Sequence, residues 1–173
     1  PKVTKMDGVY ISCSNLTTAV CGDNVVHMPS TYYDCRNLTT AACGPNVTDL
    51  SYAYCSSRID YSACGDKVTN MRRAFAQCDT VKNTACGPNV VDLVEAYYYS
   101  QGVVSGPSCG DKVTNMLNAY HYCNKMQGPP VCGNSVIDMT MAYYKCTNMK
   151  GDPVCGPNVV YMGSAYSNCT NLT

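Results

Sequence analysis

Fourteen cysteines give this chain its clearest capacity for chemistry, because a thiol can form a disulfide or bind a metal ion. Fourteen of 173 residues is about 8% of the chain, a level typical of small-core proteins that disulfides stabilise in an oxidising compartment. Structural zinc sites use close cysteine pairs with histidines at short spacing. Neighbouring cysteines here have at least seven residues between them, so the spacing favours disulfides and predicts no metal site and no cofactor.

The side chains that serve most often in catalysis form no recognisable set. The two histidines, His27 and His121, stand far apart, and Glu95 is the only glutamate. The sequence contains no nucleophile elbow, phosphate-binding loop or pair of glutamates. These features predict that the chain is not an enzyme.

N-glycosylation sequons are the other motif with a defined chemistry. They occur at Asn15, Asn37, Asn46, Asn168 and Asn171. Three of the five follow a cysteine by two residues, in stretches that we expect to be exposed linkers, and N-linked glycans are therefore predicted. The same residues also suit polar turns, so the motif alone leaves a plain linker role open.

Charge and hydropathy exclude two classes of partner. Twelve basic residues balance twelve acidic ones, so no basic surface favours nucleic acid or an anionic lipid. No apolar run approaches 18 residues, so no membrane-spanning helix is expected. Together with the cysteines and sequons, this predicts a mature, soluble, extracellular (secreted) chain.

A repeat must position these residues. Cys-Gly recurs at intervals of 21 to 23 residues, and the opening residues fit the same frame without their own Cys-Gly. We therefore predict a single repeat array over residues 1–173. Its eight copies begin near residues 1, 21, 43, 64, 86, 109, 132 and 155.

Within each copy, apolar residues recur at positions i, i+3 and i+7, as in Val113, Met116 and Tyr120. This spacing is typical of one face of an α-helix. Pro45, after Cys-Gly, suits a first helical turn, and the recurrent Asp49 suits a helix role. Pro29 is the misfit, because it lies inside its predicted helix. The sequence thus predicts an all-α, disulfide-stapled array, α-solenoid-like, of about eight short helices.

The cysteine pairing follows from that geometry. A cysteine at each end of a helix lies about 20 Å from its mate, whereas a disulfide needs Cα atoms within about 7 Å. Bonds must therefore join different helices, and short linkers favour antiparallel helix hairpins. The predicted pairs are Cys13–Cys21, Cys35–Cys43, Cys55–Cys64, Cys78–Cys86, Cys123–Cys132 and Cys146–Cys155. Cys109 and Cys169 are left unpaired or intermolecular, the first because its expected partner position is Ser100.

A parallel arrangement of the helices is the alternative. It would join repeat starts to starts, as in Cys21–Cys43, and ends to ends, as in Cys13–Cys35. Gly-Pro-Asn and Gly-Asp-Lys openings alternate over several copies, which favours the hairpins.

The segment around Tyr97, Tyr98 and Tyr99 is the candidate interface, because exposed tyrosines are favoured where proteins meet. The Gly- and Ser-rich residues 100–108 that follow form a possible joint. Neither end resembles a polar capping repeat, which predicts a segment of a longer array or a protomer whose ends are covered by neighbouring copies.

The leading functional hypothesis is a structural repeat glycoprotein of an extracellular filament or matrix, which self-associates. The alternative is a secreted binding module that presents its repeat surface to a protein, glycan or small ligand. A binding module should gather its repeat-to-repeat variation on one face.

Overall fold

The computed structural model describes residues 2–173, so the predicted start of the first repeat at Pro1 lies outside the described residues. No described residue lies in a helix, and the only strands are β1 (Thr18–Ala19) and β2 (Thr40–Ala41). The all-α prediction is therefore wrong. Residues 2–173 accordingly include no helix long and apolar enough to cross a membrane.

The repeats instead form a stack of parallel coils, one coil for each repeat. We number the coils 1 to 8, with ranges 2–20, 21–42, 43–63, 64–85, 86–108, 109–131, 132–154 and 155–173. Parallel bridges join equivalent residues of successive coils: Lys5, His27, Asp49, Asn70, Asp92, Asn115, Asp138 and Tyr161. β1 and β2 also pair in parallel, with Thr18 opposite Thr40. The predicted antiparallel hairpins are therefore wrong, and repeat starts lie against repeat starts.

Each coil bends through a series of tight turns, as coil 5 illustrates. The N–H of Ala96 donates to the Leu93 carbonyl oxygen (3.0 Å), and that of Ser100 donates to the Tyr97 carbonyl oxygen (3.1 Å). Intervening residues bond to the next coil: the N–H of Tyr97 donates to the Ala119 carbonyl oxygen at 2.8 Å. Because the chain turns every three or four residues, every third or fourth side chain points inward. The i, i+3, i+7 spacing therefore belongs to turns, not to a helix.

The turns need two residues with left-handed backbone conformation in every coil. They lie five and nine residues after the core valine of the coil, which is Val90 in coil 5. In coil 5 these are Glu95 (φ 54°) and Tyr99 (φ 58°). A hydrogen-bonded four-residue turn with positive φ at its third residue is a type II turn, which favours glycine at that place. Only Gly8 supplies a glycine at the first of these positions. Left-handed non-glycine residues cost about 1 kcal/mol or more each, and packing between coils must offset that cost.

Pro29 fits this turn, although it contradicts a helix. It occupies the second position of the turn from Met28 to Thr31, where type II turns favour proline. In most other coils the residue at the second position of this turn is not proline and has an N–H. An Asp or Asn side chain two residues earlier in the chain accepts a hydrogen bond from it. Asp49 Oδ1, for example, accepts from the N–H of Ser51 at 2.8 Å. The recurrent aspartates thus close turns and have no helix role.

The core consists of columns of like residues that run through the stack. Each coil contributes a valine, a methionine or leucine, a small residue and an aromatic ring, most of them fully buried in the interior coils. The aromatic column contains Tyr10, Tyr32, Tyr54, Phe75, Tyr97, Tyr120, Tyr143 and Tyr166. Successive rings are nearly parallel, with centroids 5.3 to 5.9 Å apart.

Candidate functional site

An outward-facing cluster of rings on coils 5 to 7 is the most distinctive surface of the molecule. We call it the aromatic surface: Tyr98, Tyr99, His121, Tyr122 and Tyr144, together with Lys145. All six side chains are half-buried. They follow the core ring of their coil by one or two residues, so the stacking of coils brings them together.

The rings of the aromatic surface contact one another across three coils. Tyr99 and Tyr122 are stacked, with centroids 4.4 Å apart and planes 13° apart. The His121 ring lies between Tyr98 (5.0 Å) and Tyr144 (4.7 Å), tilted against both. In this pair of Tyr99 and Tyr122, each ring covers one face of the other.

Two cations flank the rings. Lys145 Nζ lies 4.6 Å from the Tyr122 ring centroid and donates a hydrogen bond to the Tyr122 hydroxyl. This bond raises the pKa of Lys145. At the other end, the Arg73 guanidinium lies 5.8 Å from the Tyr98 centroid and pairs with Glu95. Within the described chain, Lys145 forms no such ion pair with a carboxylate.

His121 is the titratable group at the centre of the surface. Burial among the rings lowers its pKa, because a charged imidazolium is poorly solvated there. The negative charge of Glu95 opposes this shift, and the positive charge of Lys145 adds to it. His121 Nδ1 lies 2.9 Å from Asn118 Oδ1. A low pKa keeps the ring neutral near neutral pH, as in a packed side chain.

Residue type varies between coils at the two positions that carry the aromatic surface. The position eight residues after the core valine carries Ile11, Tyr33, Cys55, Ala76, Tyr98, His121, Tyr144 and Ser167. The next position carries Ser12, Asp34, Ser56, Gln77, Tyr99, Tyr122, Lys145 and Asn168. The residue just before them is the core ring of every coil. Aromatic residues thus concentrate in coils 5 to 7 at positions where the coil geometry does not require them.

Sequence reasoning found this surface only in part. Of the three candidate interface residues, Tyr98 and Tyr99 belong to it, whereas Tyr97 is fully buried in the core column. It missed His121, Tyr122, Tyr144 and Lys145 as parts of one site. The signal that could have found them is the period itself, since they follow Tyr98 and Tyr99 by one or two repeats.

The cysteines at the ends of the predicted helices form a buried column with a common hydrogen bond. The Cys78 thiol donates to the Tyr54 carbonyl oxygen (3.0 Å), and the Cys123 thiol donates to the Tyr97 carbonyl oxygen (3.0 Å). Burial raises the pKa of both thiols well above its ordinary value. Ser57 and Ser100 donate the same bond in coils 3 and 5. Serine can therefore stand at position 100, where the sequence pattern predicts a cysteine. Its hydroxyl still bonds coil 5 to coil 4.

The Cys-Gly cysteines form a second column. The N–H of Gly110 donates to Cys86 Sγ at 3.2 Å, and the equivalent glycine bonds to the thiol of the preceding coil in five further cases. Burial raises the pKa of Cys64 and Cys109 to about 12. Both columns therefore favour protonated, unreactive thiols.

The disulfide-stapled architecture is wrong, because all fourteen cysteines are free thiols in the structure. The pairing rested on helix ends that do not exist, and the two cysteines of each pair stand in different columns or outside them. The pairs not formed are Cys13–Cys21, Cys35–Cys43, Cys55–Cys64, Cys78–Cys86, Cys123–Cys132 and Cys146–Cys155. Cys109 and Cys169 are free like the rest.

The sequon asparagines lie on the outer surface. Asn15, Asn37, Asn168 and Asn171 are exposed, and Asn46 is half-buried. The Asn46 amide donates to the Asp23 carbonyl oxygen at 2.8 Å and accepts from Lys67 Nζ at 2.6 Å. An amide whose nitrogen and oxygen both form hydrogen bonds within the protein, and which is half-buried, is less accessible for glycan attachment than an exposed amide. Glycosylation stays a prediction, best placed at the exposed sequons.

Residues 2–173 contain no group of three or more His, Cys, Asp or Glu side chains arranged to hold a metal ion. His27 is bridged to its coil neighbours in one column, and His121 belongs to the aromatic surface. The described part of the chain does not bring these two histidines into one site.

No protein-family model, no curated protein and no solved structure matches this chain at a significant level.

Proposed function

We propose that this chain is a non-enzymatic extracellular repeat protein that binds a partner molecule through the aromatic surface. The observation that carries the proposal is the clustering of five half-exposed rings, in contact with one another, at two neighbouring positions of coils 5 to 7. A protein selected only to stack its coils has no need of aromatic residues there. A binding module needs such a cluster on one face, supported by the constant core columns beneath it.

The chemistry of the aromatic surface supports a binding role. Tyrosine joins a large apolar ring to a hydroxyl that stays wet, and such residues dominate the energetic centres of interfaces. The stacking of Tyr99 on Tyr122 and the packing of His121 between two rings hold the side chains in place before binding. A preorganised surface loses less side-chain entropy when it binds.

The sequons support the placement of the contact. Asn15, Asn37 and Asn46 lie in coils 1 to 3, and Asn168 and Asn171 lie in coil 8. Coils 4 to 7 contain no sequon, and the aromatic surface lies on coils 5 to 7. Glycans at the predicted sites would leave this surface free.

An extracellular location rests on the sequons alone. The disulfide argument no longer supports it, because the thiols are free. The exposure of four sequon asparagines favours the secretory route, where N-glycosylation takes place.

The experiment is a binding screen with two matched variants. The folded chain is displayed against a library of secreted and cell-surface proteins and glycans. The surface variant carries Tyr99→Ser, Tyr122→Ser and Tyr144→Ser, and the control variant carries Tyr61→Ser, Val91→Ser and Ile137→Ser, which are outward residues elsewhere. We expect a ligand whose affinity falls about tenfold or more in the surface variant only, which corresponds to a loss of about 1.4 kcal/mol or more. Equal binding by both variants, or no ligand at all, would contradict the proposal.

A structural role in an extracellular matrix is the second candidate. The continuous aromatic column through all eight coils favours it, because such a core makes the stack a stiff rod. Electron microscopy of native material separates the two candidates. Extended assemblies would support the structural role, and dispersed single rods would support the binding module.

A further inference from the structure

We propose that Tyr99 and Tyr122 form a site of oxidative cross-linking, at which a haem peroxidase with hydrogen peroxide joins their rings by a carbon–carbon bond. The product is a dityrosine that connects coil 5 to coil 6. The inference goes beyond the proposed function and does not depend on it.

The geometry of this pair carries the inference. The two rings are nearly parallel, and their centroids lie 4.4 Å apart, closer than any other ring pair of the described chain. Both residues occupy the same position in successive coils, so the backbone bonds between coils fix their register. The N–H of Tyr99 donates to the carbonyl oxygen of His121, next to Tyr122, at 2.8 Å. The backbone therefore holds the two side chains opposite each other.

Access distinguishes this pair from the core tyrosines. Tyr99 and Tyr122 are half-exposed, so an oxidant can reach them. Tyr120 and Tyr143 also stack, but their rings are fully buried. Their hydroxyls donate to backbone carbonyl oxygens, that of Tyr143 to Val131 at 2.5 Å. A buried phenol held in this way has no route for releasing its proton to solvent.

Orientation distinguishes the pair from its neighbour. Tyr98 and Tyr99 have centroids 4.7 Å apart, but their planes are tilted by 58°. Tyr61 is 64% exposed and stands in no ring pair of residues 2–173. Tyr98 can therefore serve as a control whose ring is close to a neighbour but not parallel to it. Tyr61 can serve as a control that is exposed but has no ring partner among the residues described.

The reaction balances with the named oxidant. The peroxidase takes one electron and one proton from each phenol, and the peroxide is reduced to two molecules of water. Each phenoxyl radical places spin on the ring carbon beside the oxygen, and these two carbons form the new bond. Each carbon then gives up its hydrogen as a proton, and each oxygen regains one. The protein loses two hydrogen atoms in total.

The test treats dilute full-length protein with horseradish peroxidase and hydrogen peroxide. We expect a monomer that has lost two hydrogen atoms and shows dityrosine fluorescence. Trypsin cuts after Lys112, so the product should contain peptide 83–112 joined to peptide 113–125. Tyr99→Phe and Tyr122→Phe should each abolish the joined peptide, because phenylalanine keeps the ring but forms no phenoxyl radical. Tyr98→Phe and Tyr61→Phe should leave its yield unchanged.

Several results would overturn the inference. The joined peptide could persist in Tyr99→Phe, or the cross-link could map to another pair. The protein could also give only intermolecular dimers, or stay unmodified while free tyrosine in the same tube is coupled. A circular dichroism spectrum identical to that of the parent confirms that each variant is folded. Phe75 in the core column already shows that the coil accepts phenylalanine in place of tyrosine.

Discussion

The Ser100 hydroxyl donates a hydrogen bond of 2.6 Å to the carbonyl oxygen of Phe75. Five other coils make the same bond to the core aromatic residue of the preceding coil with a cysteine thiol. A serine and a cysteine share little except their size and a donor hydrogen. The position therefore requires a small side chain that donates a hydrogen bond, and either an oxygen or a sulfur atom can carry the donor hydrogen.

Replacing Cys123 tests this directly, because its thiol is fully buried and bonds to the Tyr97 carbonyl oxygen. Cys123→Ser keeps a donor, whereas Cys123→Ala loses it and leaves a small void. We expect the alanine variant to be less stable than the serine variant by about 1 kcal/mol in urea denaturation. Cys155→Ala, at an exposed thiol, should change stability by less than about 0.5 kcal/mol. Equal losses in Cys123→Ser and Cys123→Ala would show that the hydrogen bond contributes nothing.

The period of the fold could be predicted from the sequence, but its elements could not. Cys-Gly steps of 21 to 23 residues match the coils, since equivalent residues bridge from coil to coil. The apolar spacing fits a helix and a chain of three- and four-residue turns equally well. The signal that separates them is glycine or asparagine at left-handed positions. Only three of the sixteen such positions carry glycine or asparagine, namely Gly8, Asn118 and Asn168. Others carry Tyr52, Glu95 and Met141, so the turns leave only a weak local mark in the sequence.

The candidate site was recognised by residue type and missed as an arrangement. Tyr97, Tyr98 and Tyr99 stood out as a run, but successive side chains of an α-helix point about 100° apart, so a helix would not have placed the three on one surface. In a coil of tight turns Tyr97 points inward and its two neighbours point outward. His121 and Lys145 join them only through parallel stacking, which an antiparallel hairpin would not have produced.

The state of the thiols gives a second prediction. Alkylation of the unfolded chain without reductant should attach fourteen labels, because all fourteen cysteines are free. In the folded protein, Cys155 should react first because it is exposed, and Cys78 and Cys123 should react last because they are fully buried. Intact-mass and peptide mass spectrometry measure both. Fewer than fourteen labels in the unfolded chain would mean that disulfides are present.

The Tyr54 hydroxyl is buried without a hydrogen-bond partner in the described chain, whereas the Tyr143 hydroxyl donates to Val131. An unpaired buried hydroxyl costs about 1–3 kcal/mol, and a made bond contributes about 1 kcal/mol. Tyr54→Phe should therefore stabilise the protein by about 1 kcal/mol, and Tyr143→Phe should destabilise it by a similar amount. Thermal or urea unfolding of both variants measures the difference. A loss in Tyr54→Phe equal to that in Tyr143→Phe would indicate a bound water that pairs the hydroxyl.

The glycine of the Cys-Gly motif allows close approach of successive coils. A Cβ on Gly87 would lie 2.9 Å from the Gly65 carbonyl oxygen and 3.1 Å from Cys64 Sγ. The backbone would have to shift, so Gly87→Ala should cost about 1–3 kcal/mol. At Gly163 the only contact would be the Thr140 methyl group at 3.8 Å, and Gly163→Ala should stay within about 0.5 kcal/mol of the parent. If urea unfolding shows the two variants equally stable, the coils do not pack as described.

Stability should fall at alkaline pH, because the core retains protons that the unfolded chain releases. Burial raises the pKa of Cys64 and Cys109 from 9.0 to about 12, and that of Tyr32 from 10.0 to about 12. A raised folded pKa contributes stability that is fully present below the unfolded pKa and is lost as the pH rises toward the folded one. The urea midpoint should therefore be flat between about pH 7 and about pH 9 and decline from there toward about pH 12.

The double variant Cys64→Ser/Cys109→Ser removes two of these thiols, while serine cannot ionise in this range. Its urea midpoint should decline less steeply with pH than that of the parent, whatever its stability at neutral pH. Phenolate absorbance gives a second reading, because the fully buried ring of Tyr120 should ionise only as the coils separate. If the midpoint is the same at neutral pH and at about pH 11, the buried thiols and phenols ionise without cost. The columns would then be open to water, and the packed core described above could not exist.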